Sequence, residues 1–133
     1  CVLKGAVIFM ADLLRNLSVA VRVECITAQS YTGTRRGDVK VELVDPSIIL
    51  RDRHVLVVED IVDTGATWST VRQLIENRGA KTVRICSLLS KPVKLKQPVA
   101  VDYVGFEIGD VFVVGYGLDY LERYRNLSGI YGL

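Results

Sequence analysis

The chain has 133 residues, enough for one domain, and half of them are apolar, so a full core can be buried. Its 17 Lys and Arg and 15 Asp and Glu are mixed along the sequence and leave a net charge of +2, which argues against a nucleic-acid stripe or a polybasic membrane anchor. No apolar run reaches membrane-spanning length and no signal peptide is visible; Cys1, Cys25 and Cys86, at no metal-ligand spacing, read as reduced, mostly buried thiols of a cytoplasmic protein.

The chain opens CVLKG, where Cys1-Val2-Leu3 reads as the tail of a strand, so upstream residues are expected. Val7, Phe9, Met10, Leu13, Leu14 and Leu17 recur at helical spacing and predict a helix over about Ala6 to Asn16. Val19, Val21, Val23 and Cys25 alternate with polar or small residues and predict a strand with one covered face. SYTGTRRGD, from Ser30 to Asp38, carries no apolar residue except Tyr31 and reads as a mobile loop; DVKVELV then returns as the second arm of a long hairpin. His54 to Val58 is a short continuous apolar run, the pattern of a strand buried on both faces of a parallel sheet. A helix starting near Thr67 carries Val71, Leu74 and Ile75 on one side and stops at Gly79, and TVRICSLL, Thr82 to Leu89, is the next strand. Strand, helix, strand makes a βαβ unit, hence an α/β fold with a parallel sheet that the runs Val99 to Phe106 and Val111 to Tyr116 are expected to complete. There is no repeat, low-complexity tract or linker, so residues 1–133 are expected to form one domain.

The most informative stretch is VVEDIVDTGATWST, Val57 to Thr70. In open α/β sheets ligands bind beyond the carboxyl ends of the strands, and Glu59 and Asp60 stand at such an end. DTGAT is the strand-to-helix turn, whose backbone N–H groups, helix dipole and Thr64 and Thr67 hydroxyls can cradle a phosphate. Carboxylates beside a phosphate site repel the phosphate itself, but they accept hydrogen bonds from sugar hydroxyls and hold Mg²⁺. A phosphorylated ribose bearing a diphosphate fits all three functions. The plainer alternative is that DTG is a common turn in which Asp63 caps the helix.

VVEDIVDTGAT closely resembles the phosphoribosyl-diphosphate signature of the type I phosphoribosyltransferases. VLKGAVIFMADLL, SLLSKP and DYVGFEIGDVFVVGYGLDYLERYRNL are similar to the hypoxanthine (hypoxanthine-guanine) branch, in the same order and over nearly the whole chain. The resemblance implies a mostly parallel central sheet flanked by helices, with a flexible catalytic-loop hairpin and a small hood. It implies Mg²⁺-dependent transfer of phosphoribose from phosphoribosyl diphosphate to a 6-oxopurine base, in a homodimer or homotetramer that needs neither nucleic acid nor membrane.

Roles carry over residue by residue on this resemblance. Glu59 and Asp60 contact the ribose hydroxyls and help hold Mg²⁺, and Asp63 is the general acid/base beside N7 of the purine. Asp63, Thr64, Gly65, Ala66 and Thr67 form the 5′-phosphate loop, where glycine lets backbone approach phosphate closely. Lys4, Gly5 and Arg125 bind the diphosphate, and the Leu3–Lys4 peptide is expected to be cis. Ser30 and Tyr31 open the catalytic loop. Lys91 donates to the purine 6-oxo group, a contact that adenine's amine cannot accept; Phe112 stacks on the base and Val113 offers main-chain contacts. Asp119 holds a second Mg²⁺ through water. His54, Trp68, Cys25 and Cys86 read as structural.

The sequence departs from the family in three places. The family's N-terminal helix and the start of its strand are expected to be missing before Cys1. Arg35 and Arg36 make the catalytic loop more basic, either to touch diphosphate or merely to be solvated. Gly109 replaces the proline of the family's I-P-D motif and is expected to loosen the turn before Phe112. The competing function is a non-catalytic regulator of the same fold that senses phosphoribosyl diphosphate and binds nucleic acid. Such a protein could keep VVEDIVDTGAT but has no need of Lys91, Phe112, Asp119 and Arg125.

Overall fold

The computed structural model describes residues 1–30, 39–95 and 99–133. In chain order the elements are β1 (Val2–Leu3), α1 (Val7–Asn16), β2 (Ile26–Ser30), β3 (Val39–Leu43), β4 (His54–Val62), α2 (Ala66–Asn77), β5 (Thr82–Ser90), β6 (Tyr103–Glu107), β7 (Val113–Val114) and β8 (Tyr131–Gly132). A short 3-10 turn, Pro92–Lys94, follows β5.

The βαβ unit forms as expected. Strand β4 pairs in parallel with β5, from His54 opposite Thr82 to Val62 opposite Ser90, and β6 adds in parallel on the far side of β5. Helix α2 buries Trp68, Val71 and Ile75, one stripe at helical spacing, against Val57, Val62 and Ile85. Each such side chain contributes about 1.5–3 kcal/mol by leaving water. Gly79, with φ of 82°, takes the left-handed conformation that ends α2. A second sheet, β1-β2-β3, has β1 parallel to β2 and β2 antiparallel to β3, and β1 lies against β4. A smaller cluster of Leu88, Leu89 and Leu118, with Phe9, Ile61, Ile108 and Tyr116 around it, fills the end nearest the carboxyl termini of the strands.

Four expectations are corrected. Residues Val19 to Cys25 form no strand: β2 starts at Ile26, which pairs with Val2 and Leu43, and Val19 is 65% exposed. Alternation marks an apolar side, but a strand also needs backbone to pair with. The run Val111 to Tyr116 does not complete the main sheet. Its strand β7 turns away and pairs antiparallel with β8. The run Val99 to Phe106 yields a strand only from Tyr103. Strand β4 is also less enclosed than its apolar run implied, since Val57 and Val58 are buried whereas Leu56 is 40% exposed.

The expected hairpin is present as β2 and β3, with Ser30 opposite Val39. Tyr31, Arg35 and Arg36 lie outside the described residues. No described helix is long and apolar enough to cross a membrane.

Candidate active site

Three segments meet at the carboxyl end of β4. The first is the Leu3–Gly5 turn between β1 and α1, where the Leu3–Lys4 peptide is cis, as expected. The second is Glu59 to Thr67. The third is the irregular stretch after β7. Gly5 packs against the Asp60 carboxylate, and Gly117 packs against the carbonyl of Gly5, where a β-carbon on Gly117 would sit 2.1 Å from that oxygen. These two glycines are the contact through which the three segments close on one another.

The acid pair is buried. Glu59 is only 7% exposed, and its Oε2 has no hydrogen-bond partner among the described residues. Burial, reinforced by the adjacent Asp60 charge, holds its carboxyl well above the usual range. Burial raises Asp60 as well, partly offset by hydrogen bonding that includes the Ile61 N–H donating to its Oδ1 at 2.9 Å. A buried carboxyl beside a partly buried one, with Arg125 only partly offsetting the charge of Asp60, is an electrostatically expensive arrangement that a divalent cation would relieve. Both are hard oxygen donors of the kind Mg²⁺ accepts. Among the described residues no cluster of three or more metal-ligating side chains exists. The set therefore fits an ion that brings substrate oxygens with it, which is the usual habit of Mg²⁺ with phosphates.

The turn after β4 is built for close backbone approach. Gly65 has φ of 83° and is the N-cap of α2, which carries no side-chain cap. Asp63 is thus not a helix cap. The Thr64 hydroxyl accepts from the Ala66 N–H at 3.4 Å, and the Gly65 carbonyl accepts from Ser69. The Asp63 side chain is 43% exposed, yet its Oδ1 is shielded and receives no hydrogen bond among the described residues.

The cationic side of the cleft is assembled from both ends of the chain. Arg125 donates through Nη1 to the Gly117 carbonyl at 2.8 Å and through Nη2 to Glu122 at 3.3 Å, and its Nη2 forms an ion pair with Asp119 at 2.8 Å. Its Nε is buried without a partner among the described residues. Lys4 donates to Glu122 Oε2 at 2.9 Å. Asp119 also accepts from the Glu122 N–H at 2.9 Å.

Past β5, Lys91 is only 5% exposed, and its N–H donates to the Val62 carbonyl at 2.9 Å, which joins the ends of β4 and β5. Phe112 is 51% exposed and meets Tyr120 edge-to-face, with ring centroids 5.7 Å apart. Val113 opens β7. Sequence reasoning missed Tyr120 and Glu122. Both lie inside the quoted DYLERYR segment, but only contact across the fold shows what they touch. His54 is exposed and bonded to Thr82 at 2.9 Å, Trp68 is buried in the core, and Cys1, Cys25 and Cys86 are free and half-buried.

Residues 1–121 match the phosphoribosyl transferase domain family. The chain belongs to the phosphoribosyltransferase family. Within it, the chain is 45% identical over 130 residues to the hypoxanthine phosphoribosyltransferase of Haemophilus influenzae, spanning 96% of this chain and 72% of that one. It is 44% identical over 131 residues to the hypoxanthine-guanine phosphoribosyltransferase of Bacillus subtilis, spanning 97% and 72%. Among solved structures, the Trypanosoma cruzi hypoxanthine phosphoribosyltransferase in complex with its product IMP superposes with a TM-score of 0.90 at 41% identity, over 99% of this chain and 72% of that one. The phosphoribosyltransferase fold is thus present through β8, and the parallel sheet β4-β5-β6 is its scaffold.

Proposed function

We propose that this phosphoribosyltransferase joins hypoxanthine, and guanine, to phosphoribosyl diphosphate, releasing IMP or GMP and pyrophosphate. The observation that carries this reading is the convergence of Gly5, Asp60 and Gly117, which puts a diphosphate-type cation cluster beside a ribose-type acid pair. The relatives named for this reaction support it, and nothing in their names favours the nucleic-acid-binding regulator.

The purine N9 attacks C1 of the ribose as diphosphate departs, and positive charge gathers on the sugar. Lys4 and Arg125 hold the departing diphosphate, on which negative charge develops. Asp63 accepts the N7 proton as the base becomes a nucleophile. Lys91 donates to the 6-oxo group, Phe112 stacks on the ring, and Val113 meets the base edge, so the attacking nitrogen is held in line. Asp63 through Thr67 hold the 5′-phosphate, while Glu59 and Asp60 hold the ribose hydroxyls. Mg²⁺, held by Glu59 and Asp60 with substrate oxygens and at a second position by Asp119 through water, would supply charge neutralisation on the diphosphate. Ser30 and Tyr31 begin the loop assigned to closing over the site.

Residues 1–133 are proposed to act as one domain, in a cytoplasm whose reducing conditions suit three unpaired cysteines. A homodimer or homotetramer is proposed as the working form, supported by the exposed apolar side chains Tyr103, Val104 and Phe106 on edge strand β6.

The test is an absorbance assay with Mg²⁺ and phosphoribosyl diphosphate, with hypoxanthine, guanine, xanthine and adenine in parallel. Turnover of hypoxanthine with adenine inert supports the reaction and the role of Lys91. Binding of phosphoribosyl diphosphate with no turnover of any base overturns it.

A further inference from the structure

Lys94 ends the 3-10 turn after β5, outside every role assigned above. Its Nζ lies 2.5 Å from Asp110 Oδ1 and 4.0 Å from Asp63 Oδ1. The two acids serve different parts of the site. Asp63 opens the phosphate turn after β4, and Asp110 stands two residues before Phe112.

Each acid needs an external anchor. Asp63 Oδ1 is shielded from solvent and has no hydrogen-bond donor among the described residues, so the Lys94 ammonium is the charge that turns it inward. That leaves the exposure of the Asp63 side chain to its remaining atoms. The segment bearing Asp110 is held loosely on its own. A β-carbon on Gly109 would meet nothing within 4 Å, and the local backbone bonds are Ile108 N–H to the Ser90 carbonyl and Val111 N–H to the Gly109 carbonyl, both 2.9 Å. With glycine in this turn, the Lys94–Asp110 contact supplies the direction that the backbone does not.

We propose that Lys94 is a positioning residue of the purine subsite, whose ammonium ties the Asp63 turn to the loop carrying Phe112. The tie sets the spacing between the group that handles the N7 proton and the ring that stacks on the base. It rests on the phosphoribosyltransferase reaction proposed above. The other charge acting on this group is Lys91, which acts on Asp110 from the end of β5. Among the described residues neither Lys4 nor Arg125 pairs with Lys94's two acids, so their contacts to a diphosphate are independent of the tie.

The test compares the full chain with Lys94→Met and Lys94→Arg. Steady-state kinetics should show the KM for hypoxanthine raised about three- to tenfold in Lys94→Met, a range in keeping with a partly exposed ion pair that also orients a loop. The KM for phosphoribosyl diphosphate, whose 5′-phosphate is assigned to the same Asp63 turn, should rise less than that for hypoxanthine, and Lys94→Arg should restore hypoxanthine binding. Hydrogen exchange of the ligand-free proteins should be faster at Val111 and across Thr64 to Ala66 in Lys94→Met only. An unchanged hypoxanthine KM with unchanged exchange overturns the tie, as does an equal rise in both KM values. Absence of turnover in the wild type would instead remove the proposed reaction. The tie is then decided by exchange alone, with unchanged protection at Val111 counting against it.

Discussion

Gly5 lies directly against the carboxylate of Asp60: a β-carbon at position 5 would sit 1.7 Å from Asp60 Oδ2. Gly5→Ala must therefore push Asp60 away or shift the Lys4 turn. A displacement near 1 Å at a reacting site can cost about 10²-fold in rate. Gly5→Ala is expected to lose about that factor in kcat/KM for phosphoribosyl diphosphate while keeping its far-UV circular dichroism. Near-wild-type kinetics would show that the Asp60 position is unimportant.

Asp63→Asn removes the proposed proton acceptor but keeps the shape of the turn. Loss of one positioned acid/base group costs about 10²–10⁴-fold in rate. Turnover should fall within that range, while calorimetric binding of phosphoribosyl diphosphate stays within error of wild type. Unchanged turnover would take Asp63 out of the chemistry.

The buried acid pair makes stability depend on pH in an unusual direction. The carboxyls of Glu59 and Asp60 are raised in the folded state, so the folded chain holds protons that the unfolded chain has released. Their favourable contribution is full below the ordinary carboxylate range, near 4.5 for Glu59, and is lost as pH rises through the raised folded values. In chelator-treated protein, Tm should decline as pH rises above that range. Glu59→Gln should flatten the decline, and an identical pH profile for the two proteins would show that Glu59 does not titrate in this way.

Glu122 holds Lys4 and Arg125 through its two carboxylate oxygens, and Lys4 in turn keeps its carboxyl below the usual range. It thus stands where a diphosphate would draw both cations. The Lys4–Glu122 contact is solvent-exposed, so its effect is small and salt-sensitive. Glu122→Gln should tighten pyrophosphate binding about two- to fivefold at low ionic strength, with the gain shrinking in high salt. Weaker binding in that variant would mean that Glu122 orders the cations instead of competing for them.

Much of this was legible before the fold was known, for reasons that differ by element. The β4-α2-β5 unit is local, and apolar runs, helical spacing and Gly79 mark it out. Glu59, Asp60 and the turn through Thr67 were legible because they follow directly on the apolar run of β4, whose last residues, through Val62, include both acids. Val19 to Cys25 was misread because alternation records one covered side and says nothing of the neighbouring backbone. The turn of β7 out of the main sheet, and the meeting of Lys4 with Glu122 and of Lys94 with Asp63 and Asp110, depend on tertiary placement. Spacing along the chain carries no signal for such contacts.

The packing of Gly117 on the Gly5 carbonyl has a kinetic consequence. Lys4 and Glu122, which meet beside that contact, are 118 positions apart. Nearly the whole chain must be closed into a loop before either contact exists, and such closure is slow relative to pairing between neighbours. The β4-α2-β5 unit closes through contacts of short sequence separation, whereas the proposed diphosphate site needs both ends of the chain. After dilution from denaturant, helical signal should therefore return ahead of the ability to bind phosphoribosyl diphosphate. Simultaneous recovery would place the two ends of the chain in the folding nucleus itself.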